Sequence, residues 1–130
     1  MTGLDTNVLV RAITADDQEQ TKAVIRFFST LSMQEPGYIS LVCLAECVWV
    51  LRRSYRYPKV LIAEGIRRFL DAPEFVFENS AAVEEAFHRY STTKADFADC
   101  LIERAGHSAG CQSTVTFDKG AAKSAGMRLL

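Results

Sequence analysis

Gly3-Leu4-Asp5-Thr6-Asn7-Val8-Leu9-Val10 is the stretch on which the fold turns. A short apolar start ends in a carboxylate, a polar turn follows, and an apolar run resumes. A first buried strand of an α/β sheet delivers a side chain in this way to the carboxyl ends of the strands, where ligands bind. Asp5 falls at that point. Asp is also a good helix N-cap, because its carboxylate accepts from the free N–H groups of the first turn. Capping alone accounts for Asp5 unless further acids gather at the same edge.

Beyond this stretch, strands and helices alternate. Strands are expected at 4–5, 37–40, 75–77, 113–117 and 127–130, where short apolar or β-branched runs are bounded by turn residues. Helices are expected over 7–13 and 16–31. In the second of these, Asp16, Asp17 and Glu19 suit the positive N-terminus, and Val24, Phe27, Phe28 and Leu31 form the apolar stripe. Further helices are expected over 41–55, capped by Ser40, and over 58–71, opened by Pro58. Three more are expected from Asn79 or Ser80 to Tyr90, over 96–108 before Gly110, and over 119–125. The alternation predicts one α/β domain over 1–130, with a central parallel sheet flanked by helices on both faces.

A chain of 130 residues can bury a core without covalent staples. A net charge of −1 lacks the bulk basicity that often marks nucleic-acid binders, so any such role needs a local basic patch. No apolar run approaches the ~20 residues of a membrane span. No secretory leader is recognisable either, and a cytoplasmic location is expected. Cys43, Cys47, Cys100 and Cys111 form no C-x-x-C pair, which argues against zinc and for small buried apolar residues.

Three acidic features stand out. In Leu41-Val42-Cys43-Leu44-Ala45-Glu46-Cys47-Val48-Trp49-Val50-Leu51, Glu46 is the only polar residue. A helix apolar all round is buried, so Glu46 is expected in a low-dielectric setting that demands a proton, a cation or an ion pair, for which Arg52 and Arg11 are candidates. Asp96 and Asp99 share one face of a helix start, where like charges repel unless a cation or the helix N-terminus relieves them. Asp96 also suits an N-cap; Asp99, one turn in, is not explained that way. Finally, Thr114-Val115-Thr116-Phe117-Asp118 is an alternating strand that ends in an acid, which is also a common turn arrangement before Lys119-Gly120.

Together, these carboxylates from strand ends and helices suit hard divalent cations, which take oxygen ligands, and hence phosphoryl chemistry on a metal-activated water. His88 and His107 lie outside every acidic feature and are expected on the surface, not as the acid and base of a metal-free nuclease. Glycine-rich phosphate loops are missing.

Leu4-Asp5-Thr6-Asn7-Val8-Leu9, Ala45-Glu46, Asp96-Phe97-Ala98-Asp99 and Thr116-Phe117-Asp118 resemble, in order, the motifs of the PIN-domain ribonucleases. Among these the chain is most similar to the VapC toxins of toxin–antitoxin pairs. The resemblance implies Asp5, Glu46, Asp99 and Asp118 as the acidic quartet, with Asp5, Asp99 and Asp118 on the metal. Glu46 would bind a second metal or orient water. Asp96, Asn7 and Thr116 would act as supporting groups. It further implies Mg²⁺ or Mn²⁺ as cofactor, RNA cleavage leaving a 5′-phosphate and a 3′-hydroxyl, a homodimer, and a VapB-like antitoxin as partner.

Arg52-Arg53-Ser54-Tyr55-Arg56-Tyr57-Pro58-Lys59 interleaves cations with aromatics. Arg52, Arg53, Arg56 and Lys59, extended by Arg67 and Arg68, are candidate RNA contacts, with tyrosines that could stack on unpaired bases. A solvated helix end with cations near its negative C-terminus reads equally well. Two rival functions are a haloacid-dehalogenase-like phosphohydrolase and a non-catalytic nucleic-acid or protein-binding module. The first requires D-x-D-x-[TV], and Asn7 replaces its second acid. The second is weighed against by the retention of all four acids.

Overall fold

The computed structural model describes residues 1–130. Seven helices and parallel strands form an α/β fold. Two compact units are distinguished, Met1–Glu78 and Asn79–Leu130.

The first unit runs β1 (Thr2–Gly3), α1 (Thr6–Thr14), α2 (Gln18–Phe28), β2 (Gly37–Ile39), α3 (Leu41–Arg53), α4 (Lys59–Asp71) and β3 (Phe75–Phe77). Its strands pair in parallel in the order β1-β2-β3, with Gly3 opposite Tyr38 and Tyr38 opposite Val76. β1 stops before the expected 4–5. Leu4 still donates its N–H to the Tyr38 carbonyl at 2.9 Å, but Asp5 has already turned away to cap α1. Leu9, Val10, Ile39, Leu44, Leu51 and Ile62 are fully buried here, each such side chain contributing about 1.5–3 kcal/mol of burial. Phe75 stacks edge-on with Phe28 and Phe69, with ring centroids 5.1 and 5.0 Å apart. Gly65 lets α4 close on α1, because a Cβ there would lie 3.0 Å from the Ile13 side chain.

The second unit runs α5 (Ser80–Thr92), α6 (Phe97–Ser108), β4 (Val115–Thr116), α7 (Lys119–Ser124) and β5 (Arg128–Leu129). β4 and β5 pair in parallel as a sheet of their own. Thus the parallel pairing expected of the sequence is present, but as one sheet of three strands and one of two. The core between α5 and α6 is built from Val83, Ala86, Tyr90, Phe97, Cys100 and Leu101. Tyr90 and Phe97 meet edge to face with centroids 5.3 Å apart.

The expected helices all form, within a few residues at each end. α2 is shorter than 16–31, since Asp17 caps it and Ser32 to Glu35 turns the chain toward β2. No helix is long and apolar enough to cross a membrane.

Candidate active site

In the first unit, Asp5 sits just past β1 with extended backbone and caps α1: the Asn7 N–H donates to its Oδ2 at 3.5 Å. That contact is long, and Oδ1 is left without a protein partner. Asn7 is exposed and contributes its backbone rather than its side chain to this cap.

Glu46 departs from expectation. It is exposed, not buried, and it forms no ion pair. Arg11, a candidate partner, is instead taken by Asp16, Gln20 and Tyr55. The reason is helical phase. Val42 is 74% exposed and Trp49 58%, so Val42, Glu46, Trp49 and Arg53 form one outward stripe of α3, while Cys43, Leu44, Cys47, Val48 and Leu51 face inward. A helix apolar all round is here buried on one side only.

Asp5 and Glu46 both act on Cys43. Burial pushes this thiol up, Thr6 partly offsets the rise by donating to Sγ at 3.9 Å, and the two carboxylates push it further. Cys47 is pushed up to about 12, chiefly by burial. Both thiols are therefore neutral packing groups at ordinary pH. Cys100 is buried likewise; Cys111 is exposed in the turn after α6, against expectation.

In the second unit, Asp96 caps α6 by accepting the Asp99 N–H at 3.2 Å. Asp99 lies one turn in and is half-buried. Its carboxyl is pushed above the usual range by burial, then by the charges of Asp96 and Asp118. Asp118 follows β4 and caps α7, accepting the Ala121 N–H at 2.8 Å. The Asp118 N–H in turn donates to Thr116 Oγ1 at 3.0 Å, so Thr116 fixes the turn that carries the acid. The capping readings of Asp5 and Asp96 hold, and Asp118, expected as a turn acid, caps a helix as well. They do not exhaust these residues, because a cap occupies one carboxylate oxygen and leaves the other.

The donors in both units are carboxylate oxygens, the ligand chemistry that Mg²⁺ and Mn²⁺ take. Neither unit on its own carries three acid, histidine or cysteine side chains close enough to enclose a metal ion. Such ions commonly use one or two carboxylates and keep several waters, so an open oxygen donor set fits them.

A PIN-domain family model matches residues 4–126, a span that includes Asp5, Glu46, Asp99 and Asp118. The chain belongs to the PIN-domain family. A VapC ribonuclease of Aquifex aeolicus (strain VF5) is 26% identical over 117 residues, covering 89% of this chain and 86% of that protein.

Within this PIN-domain chain, Arg52, Arg53 and Arg56 are exposed at the end of α3 and in the turn that follows, and Lys59 is half-buried at the start of α4. The tyrosines between them are occupied. Tyr55 accepts from Arg11 Nη1 at 3.2 Å and packs edge-on against Tyr57, with centroids 6.0 Å apart. Arg56 holds a left-handed backbone, φ 53°, uncommon for a residue with a Cβ. His88 and His107 are both exposed, as expected.

Sequence reasoning missed the acid that is actually buried. Glu103 is 8% exposed and is gripped by two cations. Arg104 donates to it twice, at 2.5 and 2.8 Å, and Arg89 once, at 3.1 Å. Arg89 also donates to the Ala125 carbonyl at 2.6 Å, through space kept by Gly126 at φ 79°, where a Cβ would collide with the guanidinium. The available signal was Glu103 lying four residues after Asp99, on the face that also carries Phe97, Cys100 and Leu101.

Proposed function

We propose that the chain is a divalent-metal-dependent endoribonuclease, acting in the cytoplasm as the toxin of a VapBC-like pair, with Asp5, Glu46, Asp99 and Asp118 as its working acids. The observation that carries the reading is the PIN-family match across 4–126, a span that includes all four acids. The VapC ribonuclease relative supports RNA as substrate and a VapB-like antitoxin as partner.

Mg²⁺ or Mn²⁺ held by these carboxylates would supply a water of lowered pKa and neutralise charge on the scissile phosphate. Asp5 and Asp118 would each offer the oxygen that is not capping a helix. Asp99 is held by the Asp96 cap, and its proton affinity is raised first by burial and then by the charges of Asp96 and Asp118, a repulsion that a cation relieves. Glu46, exposed and unpaired, suits the orientation of the attacking water. Thr116 keeps Asp118 in register, and Asn7 supplies the N–H that orients Asp5. Arg52, Arg53, Arg56 and Lys59 would contact the RNA backbone, giving the local positive charge that a net −1 chain otherwise lacks.

The chain would act as a homodimer, with some of its exposed large apolar side chains supplying the contact. Cleavage of RNA by the purified chain with Mn²⁺, abolished by Asp5→Asn, tests the enzymatic reading.

A further inference from the structure

Arg89, in the last turn of α5, is half-buried and uses one nitrogen twice. Its Nη1 donates to Glu103 Oε2 on α6 at 3.1 Å and to the carbonyl of Ala125, the residue that closes α7, at 2.6 Å. A guanidinium Nη carries two hydrogens, so both are spent and the group is held at that point. Charge balance alone does not call for this arrangement. Arg104 already meets both oxygens of Glu103, and Glu85 accepts from Arg104 in turn at 2.8 Å. What Arg89 adds is the bond to Ala125, whose carbonyl lies past the last turn of α7 and has no later helical N–H to accept from. Gly126, at φ 79°, leaves the room: a Cβ there would lie 2.5 Å from Arg89 Nη1.

The two elements joined in this way each carry an acid of the candidate site. Asp99 stands four residues before Glu103 on one face of α6, about 6 Å along the axis. Asp118 caps the other end of α7, a helix of six residues and so about 9 Å long. Its Oδ1 accepts the Ala121 N–H and its own N–H is held by Thr116, so Asp118 moves with the start of α7. The ladder between β4 and β5 ties α7 to its own strands, through the Arg128 N–H and the Thr114 carbonyl at 2.8 Å. Arg89 ties it to α6. Carboxylates serve one cation only at the right separation, and groups that orient ligands govern affinity without touching the metal.

We propose that Arg89 is a positioning residue of the metal site: by holding Glu103 and Ala125 together it sets α7 against α6, and so sets Asp118 against Asp99. This rests on the ribonuclease reading, which gives those two acids their role, and adds to it a residue that acts on the metal only through them.

The test titrates Mn²⁺ into the metal-free chain and reads the free ion by electron paramagnetic resonance. Arg89→Met keeps an apolar stem and removes both bonds. It should weaken Mn²⁺ binding by roughly 10-fold, the low end for loss of a group that orients metal ligands. Cleavage should then need correspondingly more Mn²⁺ to reach half its maximum. Arg104→Met is the control: it strips Glu103 and Glu85 of a partner and should lower the melting temperature at least as far, yet bind Mn²⁺ as the native chain does. Without metal, amide exchange at Ala121 and Ala125 should quicken in Arg89→Met and not in Arg104→Met. Should Arg89→Met not fold, Arg89→Lys takes its place. Its ammonium keeps the Glu103 charge paired but ends one atom short of Nη1, so affinity should again fall. Native-like Mn²⁺ affinity in the folded Arg89 variant would overturn this inference and leave the ribonuclease reading standing. An equal loss of affinity in Arg104→Met would also overturn it, by marking a general effect of stability. A native chain that binds no Mn²⁺ would overturn this inference and the ribonuclease reading together.

Discussion

The Asp99 N–H donates to the carboxylate of Asp96 at 3.2 Å, so one acid both caps α6 and holds the next acid in place. Asp96→Ala should remove the cap and cost about 1 kcal/mol. Asp96→Asn keeps the cap and should be nearly neutral. In urea denaturation the two variants should therefore separate, with Asp96→Asn close to the native chain.

Asp99 carries the opposite kind of effect. Its carboxyl is pushed upward by burial, Asp96 and Asp118, so the folded state holds its proton more tightly than the unfolded state does. The penalty is absent below the unfolded pKa, ~3.9 for Asp, and grows as pH rises through the folded value. Asp99→Asn should thus raise the melting temperature of the metal-free protein, by more at neutral pH than at pH 4. Mg²⁺ or Mn²⁺ should raise that of the native chain, since a ligand of the folded state stabilises it, and should act less on Asp99→Asn. Melting curves across pH and metal concentration check both statements.

Glu103 behaves in the reverse sense. Hydrogen bonds from Arg104 hold its carboxyl below the usual range, against the effect of burial, with the charges of Arg104 and Arg89 adding to the lowering. The stability it contributes is present above the unfolded pKa, ~4.3 for Glu, and is lost as pH falls through the folded value. Glu103→Ala leaves two guanidinium groups short of their acceptor and should cost about 1–3 kcal/mol near pH 7. The gap from the native chain should narrow below about pH 4. Chemical denaturation at both pH values measures it.

Arg53 shares the exposed stripe of α3 with Glu46 and Trp49. Arg53→Ala should weaken RNA binding and reduce the slope of log K against log salt by about 1, as expected for one lost phosphate contact. Light scattering should show the native chain as a dimer at micromolar concentration. A native chain that is already monomeric at micromolar concentration would remove the dimer and leave the enzymatic reading untouched.

Local signals carried the sequence reading far. Caps at Ser40, Asn79 and Asp96 and the breaks at Pro36-Gly37 and Gly110 set the helices within a few residues, because capping and turn chemistry depend on neighbours in sequence. The strand at 75–77 was legible to the residue, those at 37–40, 113–117 and 127–130 were overlong, and the one expected at 4–5 falls just past β1. After β1 and β4 the chain is diverted into a helix cap, at Asp5 and Asp118. The charge environment of the acids was not legible. Periodicity cannot separate an apolar helix face turned to the core from one turned outward, so Glu46 was expected buried while Glu103, tied by Arg89 and Arg104, went unnoticed. That Tyr55 is engaged by Arg11 was not legible either, because their hydrogen bond spans 44 positions in the chain.

Cleavage of RNA by the purified chain, with and without metal, tests the central claim most directly. Asp5→Asn and Asp118→Asn keep the helix caps while removing an anionic oxygen ligand, so their folds should persist. The native chain should cut RNA with Mg²⁺ or Mn²⁺ and stop on chelation. Both Asn variants should be nearly inactive, and His88→Ala and His107→Ala should cut as the native chain does. Loss of activity in either histidine variant, together with metal-free cleavage by Asp5→Asn, would contradict the account.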